Sequence, residues 1–318
     1  MGAGPLWSSR AVAPKAGAMD LWIAVTLAAA FFQTLRFMLH KVLSMGALSS
    51  VGSTFARFAY AMPPALVFTA AWIIGTGQRW PALNAAFWAH ALVGALGQIL
   101  ATICVVALFR QRNFAVGITF KKTEVIQTAA LGVIVLGESV SPAGWGAIVI
   151  GLVGVLLLSD TPGLSGSFLR RIGGRAVALG LGSGLFFAFS AVGYRGASLQ
   201  IAAQDPVLRA AVTYSCVVVS QVAGMAAWLR LREPGQIGAV WRARRVAVWL
   251  GLTSMLGSLS WFTAFTLQTA AYVQALGQVE LAFSLAASVL FFRERITRRE
   301  LAGIGFLALS ILVLVLVL

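Results

Sequence analysis

From residue 20 onward the chain alternates between long apolar runs and short polar breaks. Ten runs stand out, near residues 20–44, 50–75, 85–109, 113–137, 142–159, 174–199, 206–230, 245–268, 270–292 and 298–318. Each is about long enough to cross ~30 Å of hydrocarbon at 1.5 Å per helical residue. In lipid every backbone N–H and C=O must be satisfied within the protein, so runs of this kind predict transmembrane α-helices. Several connections are very short, such as Ser139–Ser141 and the turn at Thr269. Such connections make consecutive helices antiparallel. The longest breaks are 160–173 and 231–244, and the first falls close to the middle of the chain.

A midpoint break invites a search for an internal repeat. A shift of 156 residues lays Glu124 on Glu280, Glu138 on Glu294, Ser141 on Thr297 and Trp72 on Trp228. One residue either side of that shift, Phe31-Phe32 falls on Phe186-Phe187 and Gln111 on Gln268. Residues 20–159 and 174–318 therefore read as two copies of a five-span unit, joined by a linker at 160–173. Five is odd, so the second copy enters the membrane from the opposite side. The predicted fold is an all-α polytopic membrane protein of about ten transmembrane helices in two inverted five-helix repeats. Residues 1–19 read as a tail, because they carry Arg10 and Lys15 and lack the apolar core of a signal peptide. Inverted repeats are characteristic of secondary transporters, whose solute site lies near the midplane between the halves.

Composition agrees with this reading: 59% of residues are hydrophobic and only 10% are charged. That excludes an ordinary soluble enzyme, a disordered chain and a disulfide scaffold. The formal charge of +15 would point to nucleic acid in a soluble protein. Here most of the 20 arginines sit in short loops, where they meet lipid headgroups, and no nucleic-acid partner is predicted. Cys104 and Cys216 lie inside apolar runs and read as small buried hydrophobes.

Two turns carry a family signature: Gly137-Glu138-Ser139-Val140-Ser141 and Arg293-Glu294-Arg295-Ile296-Thr297. With the ten spans and the inverted repeat, they resemble the EamA-type branch of the drug/metabolite transporter superfamily. That branch closes the fourth span of each half with a Gly-Glu-Arg-Leu-Thr-like turn. The resemblance runs from about residue 20 to the end, and Ser139 departs from it where Arg is usual. It implies a ten-helix carrier that moves small organic solutes across a cytoplasmic membrane. It also implies that both termini are cytoplasmic. The charge pattern points the other way: 15 basic residues lie in or beside the odd-numbered loops and 5 on the side of the termini. By the positive-inside rule the termini are then outside.

Charges within spans carry most of the functional information, because each costs ~2.5–3.5 kcal/mol at a helix centre. Span 4 reads Phe120-Lys121-Lys122-Thr123-Glu124, close to its midpoint, and holds two of the four lysines in the chain. Lysine can lose its proton when desolvated and arginine effectively cannot, which leaves proton coupling through this region open. Glu280 is the span-9 counterpart of Glu124, with Gly277 and Ser284 on its own face. Spans 4 and 9 should meet near the pseudo-twofold axis, forming either a solute or proton site or a salt-bridge lock between the halves. Span 1 carries Gln33, Arg36 and His40 at helical spacing, with His40 and Lys41 expected at the interface. Span 2 carries Arg57 and Tyr60.

The candidate pathway is thus Arg36, Arg57, Tyr60, Gln98, Lys121, Lys122, Glu124, Trp261, Gln278 and Glu280. If these face one cavity its net charge is positive, which favours a carboxylate or phosphate on the solute. The predicted activity is a secondary carrier for a small polar or anionic organic metabolite in the bacterial inner membrane, acting as a monomer or homodimer. The alternative is a lipid or lipid-linked sugar flippase. With only 2 His and no Asp at a span centre, no catalytic set, metal or cofactor is predicted.

Overall fold

The structure is a computed structural model that describes residues 16–44, 48–109, 120–158, 175–283, 285–286 and 297–317. Most of the predicted tail, the 160–173 linker, the start of span 4, Ser284 and the first part of the 293–297 turn lie outside these residues. Among the described residues eleven helices follow in order: α1 (Ala16–Ser44), α2 (Ser50–Thr76), α3 (Ala85–Leu108), α4 (Glu124–Leu136), α5 (Pro142–Leu158), α6 (Arg175–Leu199), α7 (Pro206–Arg232), α8 (Gln236–Arg242), α9 (Arg244–Leu267), α10 (Ala270–Gly277) and α11 (Arg298–Val317). No strand occurs among the described residues. Among these residues six helices are long and apolar enough to cross a membrane on their own, and α4, α5 and α11 contain shorter apolar helices. The extra helix is α8, seven residues inside the 231–244 break, where charged positions hide a short surface turn of helix.

Local chemistry explains where the helices start. Ser49 Oγ accepts from Gly52 N at 2.9 Å to cap α2, and Asn84 Oδ1 accepts from Phe87 N at 2.7 Å to cap α3. Asp205 caps α7 by accepting from Val207 N at 2.8 Å. Pro206 follows it at a position where a missing N–H costs nothing. The second Asp205 oxygen accepts from Trp72 Nε1 at 2.7 Å and Gln78 Nε2 at 3.0 Å. The cap therefore also ties the end of α2 to the start of α7.

Burial tends to raise the Asp205 pKa, but these hydrogen bonds outweigh it and hold the carboxyl below its ordinary value. A group with a depressed folded-state pKa contributes stability above its unfolded pKa of about 4, and that contribution fades as pH falls through the lower folded value. Asp205→Ala is expected to cost about 1 kcal/mol or more at neutral pH and progressively less in acid. Unfolding titrations of both proteins across that pH range check this.

The packing pairs reveal the symmetry. α1 lies along α9, and α3 along α6. α2 packs on α7, α4 on α10, and α5 on α11. Matching the first helix of one half to the first of the other, and so on, exchanges the α1–α9 and α3–α6 pairs and maps the other three onto themselves. That is the contact pattern of a pseudo-twofold axis between two inverted halves. α2 carries Pro63 and Pro64 in its interior. Pro64 has no N–H to offer the Tyr60 carbonyl one turn back, and α9 crosses against that carbonyl at Gly251. A Cβ at Gly251 would sit 2.7 Å from Tyr60 O, so the crossing requires glycine.

Candidate functional site

Span 4 is not one continuous helix. Helical backbone at Phe120–Lys121 gives way to a turn at Lys122–Thr123, and α4 begins at Glu124. Span 9 does the same: α10 ends at Gly277, a turn covers Gln278–Val279, and helix resumes at Glu280. The two breaks coincide under the 156-residue shift. At both, the ladder tightens to bonds three residues back, Thr123 N to Phe120 O at 3.2 Å and Val279 N to Leu276 O at 3.1 Å. Backbone irregularity at membrane depth is tolerated where protein covers it. Here α6 does so at Gly184, where a Cβ would lie 3.0 Å from the Lys121 carbonyl.

The charged side chains gather at these breaks, away from lipid. Lys121, Lys122, Glu124 and Glu280 are 2%, 1%, 3% and 7% exposed, so the protein itself covers all four. Lys121 Nζ pairs with Glu124 Oε2 at 3.0 Å and lies over the Phe187 ring, 4.8 Å from its centroid. Lys122 Nζ crosses between the halves to Glu280 Oε1 at 3.4 Å. Gln33 Nε2 donates to the other Glu280 oxygen at 2.5 Å. Gln33 Oε1 accepts from Arg36 Nη2 at 2.8 Å and Trp261 Nε1 at 3.1 Å. One amide thus connects an arginine of α1, a tryptophan of α9 and a carboxylate of span 9.

Arg57 Nη1 donates to Thr102 Oγ1 at 2.8 Å. With its carbonyl turned to the cation, Gln98 accepts from both Arg57 Nη atoms at 3.0 Å and donates to Ser190 Oγ at 2.6 Å. Both guanidiniums are buried, and among the described residues neither has a carboxylate within ion-pair reach. The Nε atom of each is buried without a hydrogen-bond partner.

These residues line a narrow, partly open pocket between the halves, with about 550 Å³ of unoccupied space counting its open mouth. Of the sequence-predicted set, Arg36, Arg57, Gln98, Lys121, Glu124 and Trp261 line it. Lys122 and Gln278 line a second, smaller crevice together with Ser310 of α11. Glu280 lies between the two, bonded to Lys122 and Gln33. Tyr60 lines neither cavity; its backbone instead forms the contact with α9.

Sequence reasoning passed over Tyr194, Ser190 and Ser258, which all line the larger cavity. A usable signal existed, since all four tyrosines of the chain fall within spans. The expectation for His40 is corrected. It is fully buried, with Nδ1 3.1 Å from Ser53 Oγ, because this position of α1 faces α2. Lys41, one position round the helix, is exposed as expected.

At the end of the bundle where α4 and α9 finish, Arg195 of α6 pairs with Glu138 and donates to the carbonyls of Phe265 and Gln268, both at 2.7 Å. Ser141 N donates to Tyr272 Oη at 3.2 Å nearby. The family-signature turn thus clasps the second half.

The fold and this site define a polytopic membrane transporter. The family model of the EamA-like transporter family matches residues 20–160 and 174–316, and the chain belongs to that family. A solved structure titled only "Crystal structure of protein" is similar at 15% identity, with a TM-score of 0.67 over 93% of this chain and 99% of that one. This likeness shows the shared fold. A search of curated proteins returns no match.

Proposed function

We propose that the protein is a secondary carrier for a small polar or anionic organic metabolite, working by alternating access in a bacterial inner membrane. The single observation that carries this reading is the pair of helix breaks at Lys122–Thr123 and Gln278–Val279, with buried lysines and glutamates beside a pocket lined by both halves. Discontinuous helices at matching positions of inverted repeats are how carriers place polar groups at the membrane midplane. Units 20–159 and 174–318 rock against each other, and the Lys122–Glu280 pair straddles the boundary on which they turn. Lys121, Glu124, Arg36 and Arg57 hold the solute, while Trp261 and the tyrosines shape its surroundings.

Glu124→Gln and Lys121→Ala are each expected to reduce uptake into proteoliposomes at least 100-fold while the protein still elutes as a folded species. Uptake by both variants at the parent rate would remove the site from the pathway. The flippase alternative is tested in the same vesicles. Competition among water-soluble metabolites supports a solute carrier, and transfer of a labelled lipid unaffected by them supports a flippase.

A further inference from the structure

We infer that the solute carries two negative charges, as a phosphate monoester or a dicarboxylate does. This deepens the carrier reading of the same cavity and rests on it. The argument is one of charge balance. Four cations, Arg36, Arg57, Lys121 and Lys122, meet two carboxylates, Glu124 and Glu280, leaving two positive charges in excess among the described residues of this core. The carboxylates are committed to the lysines, at 3.0 and 3.4 Å. The excess therefore resides on the two guanidiniums.

Their protein partners are neutral: Gln33 for Arg36, and Thr102 with Gln98 for Arg57. Each keeps a buried Nε with no acceptor. Arginine presents a planar fork suited to bidentate capture of carboxylate or phosphate, and it does not shed its proton to relieve the charge. Two cations held in low dielectric without counter-charge are costly. A dianion bridging them removes that cost, whereas a monoanion leaves half of it in place.

The same physics makes the empty core the least favourable species to carry through the occluded midpoint, so transport runs as exchange of one dianion for another. The remainder of the solute faces rings: Tyr194 stacks on Phe262 with centroids 4.1 Å apart, and Trp261 on Phe265 at 5.6 Å. All four line the cavity, so a short apolar or planar body fits beside the anionic end.

The test compares small probes of different charge on the purified full-length protein. Phenyl phosphate and succinate serve as dianions, benzoate as a monoanion and benzyl alcohol as a neutral control, read by thermal shift. The dianions are expected to bind about tenfold or more tightly than benzoate. Phenyl phosphate alone identifies a phosphate site, and succinate alone a dicarboxylate site. Arg36→Gln and Arg57→Gln should each bring the dianions down to the affinity of benzoate, a loss of charge discrimination that mere loss of packing does not produce.

Equal binding of benzoate and the dianions by the parent protein, or no dianion binding, overturns the proposal even if neither variant folds. The carrier reading is judged separately, by uptake of a mixture of neutral and zwitterionic amino acids into proteoliposomes. Uptake there without dianion binding keeps the carrier and discards the dianion.

Discussion

Glu280→Gln is expected to be among the most destabilising substitutions in the protein, costing about 3–5 kcal/mol. The Lys122 side chain is 1% exposed, and its Nζ reaches Glu280 Oε1 at 3.4 Å. With the carboxylate gone, its ammonium remains buried beside Lys121, and Gln33 loses the acceptor that holds its carbonyl toward Arg36. Removing both members of the pair is a different experiment. Lys122→Met with Glu280→Gln replaces the pair by neutral groups of similar size and should recover most of the loss, because a buried ion pair is itself close to neutral against an uncharged substitute. Unfolding free energies of the four proteins form the cycle. A large coupling together with loss of uptake in the stable double variant gives the pair a part in transport. A large coupling with uptake intact makes it a lock. Parent-like stability of Glu280→Gln alone would mean that the pair contributes nothing.

The pair was legible in the sequence because charge is rare in this chain. A glutamate in each half at the same repeat position can hardly be hidden among apolar residues, and the 156-residue shift aligns them. The packing of spans 4 and 9 follows from the same shift. The breaks that bring the charges together left no such trace, since Lys122-Thr123 and Gln278-Val279 contain neither proline nor glycine. The turn there is set by tertiary context, including Gly184 lying against the Lys121 carbonyl. His40 was misplaced for a related reason. Distance from the end of a span says how near the interface a residue lies but not which way it faces, and Ser53 on the neighbouring helix decides that. Tyr194 was overlooked because a tyrosine in a span reads equally well as an interface anchor. Its position under Phe262 and beside Gln221 depends on how α6 crosses α9 and α7, which no local pattern encodes.

The second large effect concerns the crossing of α3 and α6, the most extensive contact between the halves. A Cβ at Gly193 would lie 2.8 Å from the Cα and N of Gly94 and 2.8 Å from the His90 carbonyl. All three atoms belong to backbone and none can rotate aside, so the helices must separate along their length. A Cβ at Gly196, one turn on, would instead meet ring atoms of His90 at 2.6 to 2.9 Å, and a ring can swing away. Gly193→Val is therefore expected to cost about 3 kcal/mol or more, with Gly193→Ala intermediate and Gly196→Ala the mildest. The pseudo-symmetric crossing of α1 on α9 is looser. A Cβ at Gly257 would have its nearest contact 3.1 Å away, at the Phe32 side chain. Gly257→Ala should consequently fall nearer Gly196→Ala than Gly193→Val. Unfolding of this series in detergent tests the ranking. If Gly193→Val were as stable as Gly257→Ala, the close approach of α3 and α6 would be wrong, and with it the shape of the cavity those helices wall.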